Sequence, residues 1–89
     1  MRSIVFNSQS FSAYEKLRQS DKTAHKKRVK ICKEMMRGNP TEGIGKPEKL
    51  RHDLTGYWAR RLTQKDRIVY KFDDKNIYVY AIGGHYDDH

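Results

Sequence analysis

Residues 57–82 read YWARRLTQKDRIVYKFDDKNIYVYAI, three runs of strand-forming residues broken by short polar segments. YWARRLT (57–63), RIVYKF (67–72) and IYVYAI (77–82) are rich in aromatic and β-branched side chains, and QKD and DDKN suit tight turns. An antiparallel three-stranded meander is the expected result. Side chains alternate along a strand, so in the first run Trp58, Arg60 and Leu62 share one face, while Ala59, Arg61 and Thr63 share the other. In the second, Ile68, Tyr70 and Phe72 oppose Arg67, Val69 and Lys71. Arg61 and Arg67 therefore point away from the apolar face. The third run is apolar on both sides, which does not orient it but suits a place inside the sheet.

Upstream lies KTAHKKRVKICKEMMR (22–37), with Asp21 as its expected N-cap and Gly38-Asn39-Pro40 as its stop. On a helical wheel Ala24, Val29, Ile31, Cys32, Met35 and Met36 share one arc, opposite Lys26, Lys30, Lys33 and Arg37. Arg28 falls inside the apolar arc and is expected to reach out to solvent along its own stem. A shorter helix, capped by Ser8 or Ser10 and ending near Gln19, carries Phe11, Tyr14 and Leu17 on one side. Ile4-Val5-Phe6 reads as a first strand. The composite is an α+β fold: N-terminal strand, two helices, then the meander, with the helices packed on one sheet face and arginines on the other. Residues 38–56 form a loop long enough to be read as ordered and functional, with Ile44 and Leu50 as its anchors.

The chain has 89 residues, a size that supports a single domain, and a formal net charge of +8. That charge favours polyanionic partners, nucleic acid first and an acidic protein second. No segment approaches the ~18 consecutive apolar residues of a membrane span, and the start lacks a signal-peptide core, so a cytoplasmic protein without membrane contact is expected. The single cysteine, Cys32, excludes an intrachain disulfide and reads as a buried apolar residue. His25, His52, His85 and His89 show no metal-ligand spacing, and neither a metal nor another cofactor is implied.

Arg61, Arg67 and Lys71 on the exposed sheet face, bordered by Lys46, Glu48, Lys49, Arg51 and His52 of the loop, would cradle a phosphodiester. RNA cleavage without a metal needs a base for the 2′-hydroxyl, cations for the phosphorane and an acid for the departing 5′-oxygen. Glu48, set among cations, suits the base. His85, just past the last strand and a glycine pair, suits the acid, and Tyr86 suits stacking on a base or bonding to phosphate. Asp87 and Asp88 would favour the protonated imidazole of His85.

GIGKPEKLRHDLTGYWARRLTQKDRIVYKF and the later His85-Tyr86 resemble, in order and spacing, the YoeB/Txe family of toxins from bacterial toxin–antitoxin pairs, within the RelE/ParE superfamily. The resemblance implies a microbial-ribonuclease-like fold and cleavage of mRNA in the ribosomal A site. It implies catalytic roles for Glu48, Arg67, His85 and Tyr86, and supporting RNA contacts from Lys46, Arg51 and Arg61. It also implies an acidic, YefM-like antitoxin that folds over the basic groove, and self-association as a homodimer. Phe6 and Phe11 stand where the family often carries tryptophan. A gyrase-inhibiting toxin of the same superfamily and an RNA-binding module without chemistry are the competing readings.

Overall fold

The computed structural model describes residues 1–83, and in it the expected runs become β1 (Ser3–Phe6), α1 (Ser8–Ser20), α2 (Lys22–Arg37), β3 (Trp58–Arg61), β4 (Arg67–Phe72) and β5 (Asn76–Ile82). Two further elements form inside the long loop, a two-residue strand β2 (Glu48–Lys49) and a 3-10 turn at His52–Leu54. The sheet order is β1-β5-β4-β3-β2. β3, β4 and β5 make the antiparallel meander, and β2 adds antiparallel to β3. β1 lies parallel to β5, so the sheet is mixed and β5 occupies its interior. Parallel neighbours need a long crossover, here supplied by everything between β1 and β5.

Local chemistry sets the helix ends. The N-cap of α1 is Asn7, rather than Ser8 or Ser10: its side chain accepts from the Ser10 backbone N–H at 2.7 Å, and the Ser10 hydroxyl accepts from the Asn7 N–H at 3.0 Å. Such a reciprocal box satisfies two otherwise orphaned donors. Asp21 separates the helices, accepting from the Ala24 N–H at 3.0 Å as the cap of α2 while its own N–H bonds to Leu17. The turn after β3 is tied by Thr63, whose hydroxyl accepts from the N–H groups of Lys65 and Asp66, and the strand ends at Arg61 rather than Thr63.

The main core fills the space between the helices and the inner sheet face, with Ile31, Cys32 and Met35 of α2 against Leu62, Ile68, Tyr70, Ile77, Val79 and Ile82. Lys26, Lys30, Lys33 and Arg37 are exposed on the far side of α2, as the wheel requires. Burial pushes the Cys32 thiol up, which keeps it unreactive.

Two arginines depart from the binary pattern. Arg60, on the inner face, is fully buried and spends all five guanidinium N–H groups. Nε donates to the Tyr70 hydroxyl at 3.1 Å; Nη1 to Glu34 Oε1 at 2.6 Å and the Ile44 carbonyl at 3.1 Å; Nη2 to the carbonyls of Pro40 at 3.1 Å and Glu42 at 2.7 Å. The Tyr70 hydroxyl in turn donates to the Pro40 carbonyl at 2.6 Å. Ile44, expected as an apolar anchor, is 39% exposed and holds the loop through its backbone, its N–H donating to Glu34 Oε1 at 3.0 Å. Leu50 anchors as expected, at 5% exposure.

Arg28 does not reach solvent. It is 3% exposed, its guanidinium lying 3.7 Å from the centre of the Tyr14 ring, with Cys32 Sγ at 3.7 Å and His25 Nδ1 at 3.5 Å as weak partners. Its Nε has no partner among the described residues. The Tyr14 ring of α1 lies across the path of the stem, and the ring face replaces water imperfectly.

The contrast between the two gives opposite predictions. Arg60→Met strands a carboxylate, a phenol and three carbonyls, and should cost about 3–5 kcal/mol in urea unfolding. Arg28→Leu removes a poorly compensated buried charge and should stabilise by about 1–3 kcal/mol in the same assay. The Arg60 hydrogen bond holds the Glu34 carboxyl below the ordinary glutamate range. Its stabilising share is therefore complete at neutral pH and is lost as the pH falls through and below that range. The urea midpoint should drop over that window in the native protein, and less steeply in Glu34→Gln.

Candidate active site

The outer sheet face, opposite the helices, gathers the candidate residues by strand register. Glu48 pairs with Ala59, Ala59 with Val69 and Val69 with Ala81, which makes one row across four strands. The next row holds Arg61 opposite Arg67, and Arg67 in turn accepts the Gly83 N–H at its carbonyl at 2.8 Å. Directly paired residues project to the same face, so Glu48, Arg61 and Arg67 do so together. Strand spacing places their Cα atoms within about 12 Å of one another. Two guanidinium arms and one carboxylate stem are long enough to meet across that span.

The loop that delivers Glu48 is fixed from beneath by Arg60 and from the side by Gly45, whose carbonyl accepts the Arg61 N–H at 2.7 Å. Gly45 has φ +85°, and a Cβ there would meet the Arg61 carbonyl oxygen at 2.8 Å, so only glycine allows this approach. Lys46 follows at φ 52°, a left-handed conformation that costs a lysine about 1 kcal/mol or more. The strain turns the chain through Pro47 into β2 and leaves the Lys46 side chain exposed beside the end of β3.

Not every candidate joins this cluster. Lys49 pairs with Trp58 and lies on the inner side of the sheet, its Nζ 5.9 Å from the indole centre. Arg51 is exposed and precedes the 3-10 turn. His52 sits at φ 58° and orders the loop, its carbonyl accepting from the Thr55 hydroxyl at 2.7 Å and the Thr55 N–H at 3.1 Å. His85 and Tyr86, with Asp87, Asp88 and His89, lie outside the described residues. Arg67 is half-buried, and its Nη1 is enclosed without a partner among the described residues.

The outer face is also less open than parity alone suggests. Leu50, with Leu54 and Tyr57 beside it, covers Ala59, Val69 and Ala81, forming a second small apolar cluster under the loop. This cover excludes water from one side of the Glu48 row, while in the next row Arg61 is exposed and Arg67 half-buried. Sequence reading missed Tyr57 and Tyr80, whose rings stand 5.1 Å apart on this face. For Tyr57 the signal was present, since it shares parity with Ala59 and Arg61; for Tyr80 it was hidden by a β-bulge between Val69 and Tyr70.

A family model described as the YoeB-like toxin of bacterial type II toxin–antitoxin systems matches residues 6–86. Toxin YoeB of Escherichia coli K12 is 36% identical over 93% of this chain and 98% of its own length. Among solved structures, the YoeB dimer from Staphylococcus aureus superposes with a TM-score of 0.87 at 41% identity, over 96% of this chain and 98% of that one. The toxin in the YoeB–YefM complex from the same organism gives 0.84 at 40% identity, over 97% and 99%. YafQ of E. coli, at 19% identity and a TM-score of 0.71, over 94% of this chain and 93% of that one, shares the fold.

Two guanidinium groups directly opposed in a ladder repel, a cost accepted where an anion is to be held. Replacing Arg61 by Gln should raise stability by about 0.2–1 kcal/mol at low salt, with the gain shrinking as salt is added. Urea titrations of both proteins at two ionic strengths measure it.

Proposed function

This chain belongs to the YoeB-like toxins of bacterial type II toxin–antitoxin systems, and from that membership we propose that it is an endoribonuclease that cuts mRNA in the ribosomal A site by acid–base chemistry, without a metal ion. The observation that carries the reading is the register that sets Glu48 on one face with the Arg61–Arg67 pair. In the proposed reaction the Glu48 carboxylate takes the proton of a 2′-hydroxyl, and that oxygen attacks the neighbouring phosphorus. Arg61 and Arg67 neutralise the charge that grows on the phosphorane oxygens, where fixed cations act most strongly. The bond to the 5′-oxygen breaks, and His85 supplies the proton this leaving group needs, giving a 2′,3′-cyclic phosphate and a 5′-hydroxyl. Gly83, the last described residue, bonds alongside Arg67. Tyr86 serves the substrate as a stacking or phosphate-bonding group. Lys46 adds positive potential at the rim, as does Arg51.

The same basic face suits an acidic antitoxin of the YefM type, which would cover Arg61 and Arg67 or displace the segment carrying His85. A second copy of the chain is the other expected partner, and the cytoplasm, where ribosomes are, the expected compartment. Among the described residues no helix is long and apolar enough to cross a membrane.

Purified protein added to translating ribosomes should produce new mRNA 5′ ends within the A-site codon. Glu48→Ala and His85→Ala should each slow their appearance about 10²-fold or more. Full activity in both variants would remove the mechanism, and an intact message with the native protein would remove the activity.

A further inference from the structure

Along β4, beyond Arg67 and Val69, the outer face changes from arginine to tyrosine. Lys71 stands there between two rings, its Nζ 5.5 Å from the centre of Tyr57 and 5.8 Å from that of Tyr78. Tyr80 closes the group against Tyr57 at a 50° tilt, and it is 44% exposed. A groove of about 190 Å³ opens among Val5, Tyr57, Lys71, Tyr78 and Tyr80. The β-bulge creates it: pairing jumps from Val69–Ala81 to Tyr70–Val79, which leaves Tyr80 as the extra residue and turns its ring onto the outer face. The Tyr78 hydroxyl donates to Asp73 Oδ2 at 2.9 Å, so that wall is already fixed before anything binds.

We propose that this groove is a base-stacking subsite, in which Tyr57 and Tyr80 hold an unpaired base of the RNA a few nucleotides from the bond that is cut. The inference rests on the ribonuclease reading and adds where the strand runs. Arg67 and Lys71 are four residues apart on one strand, about 13 Å, a distance a single RNA strand covers without leaving the face. The cation between the rings answers a phosphate while the π-faces answer a base, the pairing used by surfaces that hold single strands. The residues that line the groove include no acidic side chain among those described, which favours a polyanion over a basic peptide. The groove lies on the same outer face as the Arg61–Arg67 row, on the far side of the Ala59–Val69–Ala81 row that Leu50 and Leu54 cover.

The test uses single-turnover cleavage of messages on ribosomes in which one nucleotide at a time, on either side of the cut, is made abasic. An abasic nucleotide keeps its phosphate and removes only the stacking face. With the native protein one position should raise the half-saturating protein concentration about tenfold with the maximal single-turnover rate little changed. Tyr80→Leu should show that same rise with the intact message and no further rise at the abasic position, while Tyr80→Phe should behave as native. Thermal melting confirms that the leucine variant is folded. Equal sensitivity of the leucine variant and the native protein at every position would overturn the subsite. So would a leucine variant that cleaves as the native protein does but loses its dimer on gel filtration, which would assign the groove to a second copy. A native protein that leaves the intact message uncut removes the ribonuclease reading and this one together, an outcome the variants alone cannot produce.

Discussion

Much of the molecule depends on one buried guanidinium. Arg60 has five donors and meets five acceptors, drawn from α2, from β4 and from three carbonyls of the chain between Pro40 and Ile44. A segment of irregular backbone cannot satisfy its own carbonyls, and a buried charge without partners is costly; here each problem solves the other. A lysine has three donors from a single point and cannot reproduce the fork. With the segment fastened, Gly45 can reach the backbone of Arg61, and the chain can turn through Lys46 into β2. Only then does Glu48 enter the register that sets it on the face of Arg61 and Arg67. Neighbouring arginines on one strand thus divide the work, Arg60 facing inward to hold the loop and Arg61 facing outward to solvent.

The sheet joins two surfaces of different character. Its inner face carries the apolar load against α1 and α2, which supplies the rigidity an arginine pair on the other side requires. Its outer face keeps only a small apolar patch under Leu50 and Leu54; Arg61, Lys71 and Tyr80 are exposed there, and Arg67, Tyr57 and Tyr78 are half-buried. Opposed arginines, a left-handed lysine and an enclosed Nη1 of Arg67 are each unfavourable for folding. All three lie close to Glu48 on the outer side of the sheet, and the partner of Arg67 Nη1 is missing among the described residues.

How much of this the sequence discloses follows from the range of each interaction. The meander, both helices, the Asp21 cap and the outward parity of Arg61 and Arg67 are local or periodic, and all are legible. The parallel pairing of β1 with β5 joins residues more than seventy positions apart, and no local pattern announces it. β2 is only two residues long, too short for alternation to show. Parity places Arg60 on the apolar face but cannot tell that acceptors near residues 34 and 40–44 await it there. Arg28 shows the reverse failure, since a long stem suggested escape to solvent and the Tyr14 ring blocks it. Lys49 neighbours Glu48 in sequence, yet adjacency in a strand means opposite faces.

In the proposed reaction the nucleophile is the 2′-hydroxyl of the RNA itself, activated by Glu48 and attacking between Arg61 and Arg67. The most direct measurement replaces that one hydroxyl by hydrogen at the cleaved nucleotide of a message on the ribosome, and follows the strand by gel. An uncut strand at that position, with cleavage intact in the all-ribose control, is the predicted result. Cleavage at the deoxy position at the control rate would show that the nucleophile comes from elsewhere and would contradict the account.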